Sequence, residues 1–264
     1  MLSILRLTTA ASCCFVIGIG AASAQSEAEL EAFVLNLEAA LTGHSIEAGV
    51  QRRAAISAIP SGFGLSNGTA SLSLSGSYGP ERGGTNDTRF DASTSLAFGL
   101  GDATNAFAVD FAIVNTSFRD FGASGFLTVG ASKQFSFPGG TGSLALSASN
   151  LGGWGDSSDN KEAATAVATF IYNIDGNVVM ASLGAGSQLT RDNEAGLLGG
   201  FGVAVAPEWS VSAGFVGDSP IIGASYFPTV LEGTSVNFSL RDIDQRDAAV
   251  FGVDVGYAFN LFGR

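Results

Sequence analysis

The stretch TASLSLSGSY, residues 69–78, sets the period of most of the chain. Ala70, Leu72, Leu74, Gly76 and Tyr78 alternate with Ser71, Ser73, Ser75 and Ser77, which sorts successive side chains onto opposite faces, as in a β-strand. The same alternation returns at 90–100, 107–113, 127–131, 144–146, 163–172, 179–189 and 197–205, and then at 209–215, 222–227, 236–240 and 251–261. Turn signals separate these runs, giving about twelve strands of roughly 9–13 residues.

The two faces are unequal. One carries Leu, Val, Phe, Tyr and Trp; the other carries Ser, Gly, Ala, Thr and a few Asp. The water-facing side of a soluble sandwich would hold many Lys, Glu and Arg. Here charged residues are only 14% of the chain, against about 25% in a typical soluble domain. They gather in the connections. Mean hydropathy is nevertheless +0.32. Strands with a greasy outer face and a small, modestly polar inner face fit a closed barrel in lipid. Small interior side chains leave volume in the lumen. The hydrophobic content excludes a disordered chain. Twelve Lys+Arg against 24 Asp+Glu exclude a basic nucleic-acid binder.

Residues 1–24 read as a secretory signal peptide: Arg6, an apolar run over 15–22, and Ala22-Ser23-Ala24 before Gln25. Both cysteines, Cys13 and Cys14, lie inside it, so the mature chain must close without disulfides. Residues 25–68 read as a periplasmic segment. Leu30, Phe33, Val34, Leu37 and Leu41 predict a short amphipathic α-helix over 26–42. A linker over 45–68 follows, broken by Pro60, Gly62 and Gly64. Residues 69–264 form the expected transmembrane, antiparallel, up-and-down barrel. Its connections alternate between short turns (101–105, 138–142, 175–177, 206–208) and longer ones (79–88, 115–122, 151–163, 189–196, 241–247), with 217–220 a short exception. That places the short set in the periplasm and the long set outside.

At the C-terminus, Asp254, Gly256, Phe259 and Leu261 follow a polar-x-Gly-x-x-hydrophobic-x-hydrophobic order. This resembles the terminal-strand signal read by the barrel assembly machinery. Across residues 69–262 the chain is thus similar to Gram-negative outer-membrane β-barrels. The ending Phe262-Gly263-Arg264 departs from the commonest form, which stops on an aromatic. The resemblance implies location in the outer membrane. It names outer-membrane lipid, lipopolysaccharide and the assembly machinery as partners.

Catalytic chemistry finds little support. Gly64-Leu65-Ser66-Asn67-Gly68 matches G-x-S-x-G but lacks the strand-to-helix context and a histidine base. The single histidine, His44, reads as a solvated or capping residue near the end of the helix. No His/Cys cluster offers transition-metal ligands, and no cofactor is expected. Asp242, Asp244 and Asp247, beside Arg241 and Arg246, read as a solvated acidic loop. By strand parity Asp91, Asp110 and Asp254 face the lumen, where they would line a weakly cation-favouring pore. The expected function is passive diffusion of small solutes or ions. The alternative is a non-conducting structural or adhesive surface barrel with acidic extracellular loops.

Overall fold

A computed structural model describes residues 53–80, 88–116, 121–244 and 249–261. The signal peptide, the helix over 26–42 with His44, and Asp247 lie outside these residues. Twelve strands follow in chain order: β1 (Thr69–Pro80), β2 (Thr88–Gly101), β3 (Ala108–Asn115), β4 (Gly125–Phe137), β5 (Gly140–Trp154) and β6 (Ala163–Ile174). The second half comprises β7 (Asn177–Gly186), β8 (Gly196–Ala206), β9 (Trp209–Val216), β10 (Ser219–Tyr226), β11 (Thr234–Arg241) and β12 (Val250–Asn260). Each strand pairs antiparallel with its sequence neighbours, and β1 pairs with β12, so the sheet closes on itself. Closure leaves no unpaired edge, which a lipid environment requires. Among the described residues the helical content is one 3-10 turn, Gly155–Asp159.

Parity sorts the side chains as the alternation demands. On β2, Leu96, Phe98 and Leu100 are exposed outward while Ser93, Ser95 and Ala97 are buried inward. On β8, Leu197, Phe201 and Val205 face out while Leu198 and Ala204 face in. Aromatic pairs ring one end of the outer surface. Phe98 stacks on Phe111 at 5.4 Å, Phe137 meets Tyr172 at 4.9 Å, Trp209 meets Tyr226 at 4.8 Å, and Tyr257 stacks on Phe259 at 5.6 Å. All eight lie where β2–β3, β4, β6, β9–β10 and β12 approach the short-turn end. Such a girdle marks a membrane interface.

The short turns carry matching chemistry. Asp175 and Gly176, both at positive φ (50° and 79°), join β6 to β7. That is the conformation a tight hairpin needs to match strand twist. In the β2–β3 turn, Asp102 accepts from the Asn105 side chain at 2.6 Å and from the backbone N–H groups of Thr104 and Asn105. Those bonds, the Asn105 side chain foremost, hold the Asp102 carboxyl below its ordinary range. One connection at this end, between Tyr226 and Thr234, is longer than the alternation of short and long turns leads one to expect.

Candidate functional site

Residues 53–68, expected as a linker ahead of the barrel, lie inside it. They form a strap across the lumen with almost every side chain buried. The strap begins at the short-turn end, where the Arg53 guanidinium sits 5.8 Å above the Phe227 ring. Its backbone then uses wall hydroxyls as partners. Ala55 N donates to Ser210 Oγ (3.2 Å) and Ser57 N to Ser212 Oγ (3.1 Å), both on β9. Ser57 Oγ reaches Ser225 Oγ at 3.0 Å and the Ala224 carbonyl on β10. Gly62 N donates to Thr169 Oγ1 on β6 (2.8 Å), and Ser143 Oγ on β5 donates to the Gly62 carbonyl. At its end Gly68 N bonds the Gly99 carbonyl on β2 (3.1 Å) and the chain turns into β1. An irregular segment can sit within a barrel because the wall satisfies its backbone in this way.

Apolar packing fixes the rest. Ile56 and Ile59 join Val167, Val178, Met180, Leu198 and Ile221 in one buried cluster, and Leu65 joins Ala97, Ala112, Val114 and Phe126 in another. Wall glycines make room. A Cβ on Gly200 would lie 2.6 Å from Ile59 Cδ1, and one on Gly223 would lie 2.5 Å from Ser57 Cβ. One on Gly202 would collide with the Ala55 carbonyl oxygen. Ile56, Ile59, Phe63 and Leu65 are each only 1–2% exposed. Burial of such side chains is worth roughly 1.5–3 kcal/mol apiece, against the conformational entropy of ordering the strap.

The three acids expected in the lumen face inward, but they are not brought together. The β1 registers set Asp254 opposite Ser75 and Asp91 opposite Ser77, so these two flank β1 toward the long-loop end. Ser75 Oγ donates to Asp254 Oδ1, and Asp91 accepts from the Ala92 N–H. Asp110 pairs with Gly99, eight residues further along β2 than Asp91, roughly 26 Å at strand spacing. It lies against Gly64 of the strap and Gly130 of β4. Arg241, read from sequence as part of a loop, ends β11 with lumenal parity, and its charge acts on Asp254. In the terminal strand, Asp254 and Gly256 point inward and Phe259 outward beside Tyr257; Leu261 is exposed just past the strand. Ser66 of the G-x-S-x-G match is exposed in the turn before β1, with no helix following. Among the described residues no group of three or more His, Cys, Asp or Glu could hold a metal.

Of the acidic loop, Asp242 is buried and tied down while Asp244 stays half-exposed. Arg191 binds Asp242 through Nη2 (2.7 Å) and Nε (3.0 Å), Asp244 at 3.1 Å and Asp218 at 3.4 Å. Ser219 Oγ donates to the same Asp242 oxygen at 2.7 Å. Partial burial pulls the Arg191 pKa down, but the Asp242 hydrogen bond and the three carboxylate charges outweigh it and raise it above its ordinary value. Three outer connections are thereby pinned together.

A closed antiparallel barrel with an apolar outer face, an aromatic girdle and an inward polar face is an outer-membrane β-barrel. No family model matches the chain, and no curated protein matches it. Among solved structures it is similar to an outer membrane channel from Pseudomonas putida F1, at 11% identity and a TM-score of 0.46, covering 74% of this chain and 97% of that one. It is similar too to the outer membrane protein Omp33 of Acinetobacter baumannii, at 14% identity and a TM-score of 0.46, covering 75% and 100%.

Proposed function

We propose that this protein is an outer-membrane pore closed at rest by its own N-terminal strap, which opens only when the strap is displaced. The observation that carries the reading is the burial of Ile56, Ile59, Phe63 and Leu65 in a lumen whose walls are cut to receive them. An unobstructed diffusion channel has no need of such a fit. At Arg53 the strap reaches the short-turn end of the barrel. Assembly through the Asp254, Gly256, Phe259 and Leu261 signal, and contact with lipid and lipopolysaccharide, belong to the same proposal.

Planar-bilayer recording tests it. The wild type should be almost silent, and Ile56→Ala with Ile59→Ala should conduct, because truncation removes much of what holds the strap. Silence in both would favour a structural or adhesive barrel, whose outer face would be the surface pinned by Arg191.

The passive, weakly cation-favouring pore remains as a second reading, supported by Asp91 and Asp254 on the wall flanking β1. It requires the wild type itself to conduct. It also requires reversal potentials that shift when Asp91, Asp110 and Asp254 are all changed to Asn.

A further inference from the structure

The strap's contacts follow the wall in the reverse of chain order. Ala55 and Ser57 bond β9 and β10, and Ile59 fills notches at Gly200 on β8 and Gly214 on β9. Ile56 and Ile59 share a buried cluster with Val178 and Met180 of β7. Gly62 meets Thr169 on β6 and Ser143 on β5, and Gly64 lies against Ser132 on β4 and Asp110 on β3. Leu65 and Gly68 end the run on β2, where a Cβ on Gly99 would lie 2.6 Å from Leu65 Cβ. The fit is reciprocal. Wall glycines admit the strap at β8–β10, and strap glycines admit the wall at β3–β6. A Cβ on Gly62 would lie 2.7 Å from the Ser143 carbonyl oxygen, and one on Gly64 would lie 2.7 Å from Asp110 Oδ1.

The pair that closes the ring, β1 with β12, joins the two ends of the sheet: Thr69 and Asn260 are 191 residues apart. Pairings over such separations form slowly, because chain entropy is lost before the contacts reward it. The strap shortens that search. Ser57, bonded to Ser225 on β10, stands 12 residues ahead of Thr69. Around the ring only β11 and β12 separate β10 from β1. That gap is three strand spacings, about 14 Å, well within the reach of the intervening chain. The strap also supplies what an open sheet lacks. Before closure, Val167, Met180, Leu198 and Ile221 have no facing wall to be buried against, and a sheet gains independent stability by packing a hydrophobic face. Ile56 and Ile59 provide that partner.

We propose that the strap is a template for barrel closure. It seats on the inner face of β2–β10 while the sheet is still open, curls the sheet round itself and delivers β1 to β12. Once those two strands pair, the closed ladder holds without it, so the strap governs how fast the barrel closes. The inference rests on the strap's seat in the lumen and is independent of whether the strap later leaves it.

Refolding of the full chain from urea into detergent micelles tests it, followed by the heat-modifiable migration that marks a closed barrel. Ile56→Ala with Ile59→Ala should slow the appearance of the closed form about tenfold or more, while the rate of barrel unfolding changes less than about threefold, because interactions made before closure act on the folding rate. Ile59→Ala alone, a milder change, should slow closure in the same sense, and it decides the matter if the pair yields too little folded barrel. Closure at the wild-type rate, with faster unfolding in these variants, would show that the strap enters a barrel already formed and would overturn the proposal. Slower closure in a protein whose wild type conducts freely would uphold the template and overturn only the plug.

Discussion

The lumen has two walls made from the same period-two alternation, and they differ in what they are cut to receive. From β5 to β10 the inward positions include Gly200, Gly202, Gly214 and Gly223 and Val167, Met180, Leu198 and Ile221, with Ser143, Thr169, Ser210, Ser212 and Ser225 offering hydroxyls to the strap. These positions accept a strand of protein. From β11 to β1 they are Ser235, Asn237, Ser239, Asp254, Ser71 and Ser75, and several of these lack partners. Glycine removes the side chain where another backbone must approach. Serine keeps a short side chain with a donor and an acceptor, which the strap's backbone engages at Ser143, Ser210 and Ser212.

The largest effect that tests this contrast is on the strap wall. Ile56→Ala with Ile59→Ala removes two fully buried side chains, each truncation costing about 2–5 kcal/mol. Denaturant unfolding in detergent should show strap release ahead of barrel unfolding. A single transition at the wild-type midpoint would mean the strap contributes nothing.

On the other wall, β12 can be challenged from its outer side. Phe259→Asp puts a charge on the lipid face, at a cost of up to about 2–4 kcal/mol that depends on depth. It also breaks the terminal signal, so the amount of heat-modifiable barrel in outer-membrane fractions should fall sharply.

A smaller effect is expected at the long-loop end, which both walls share. Arg191→Ala leaves the Asp242 side chain, only 3% exposed, without its guanidinium, a loss of about 1–3 kcal/mol. Protease should then cut the 187–195 connection faster while the strands stay intact.

The smallest change carries an unusual sign. Ser235→Ala and Ser239→Ala remove unpartnered hydroxyls, so the resting barrel should be unchanged or more stable, by up to about 1 kcal/mol each. Marked destabilisation would show that those hydroxyls are bonded after all, and the two walls would be alike.

Most of the barrel was legible in the sequence, because a strand that faces lipid on one side and lumen on the other must alternate strictly. The strand number, the closure and the inward parity of Asp91, Asp110 and Asp254 all follow from that rule. The strap was not legible. Its backbone is satisfied by Ser210, Ser212, Thr169 and Ser143 instead of by a neighbouring strand, so Ala54 to Leu65 needs no period. Pro60, Gly62 and Gly64 then look like linker punctuation. Two signals were nevertheless present: residues 54–80 contain no charge at all, and glycines recur at inward positions of β8, β9 and β10. Arg241 was misplaced for a simpler reason, since a charge followed by Asp242 and Asp244 resembles the start of a loop when it ends a strand.

The claim on which everything else depends is that the strap occupies the lumen of the folded protein in the membrane. Gly64 and Ser132 place it most directly under test, because a Cβ on Gly64 would lie 3.4 Å from Ser132 Cβ on the facing wall, near the lower limit for a disulfide. With Cys13 and Cys14 confined to the expected signal peptide, Gly64→Cys with Ser132→Cys supplies the only thiols of the mature chain. Mild oxidation of outer-membrane preparations should join the two almost completely and block maleimide labelling. Two free thiols, both labelled from water by a membrane-impermeant maleimide on a folded barrel, would contradict the account.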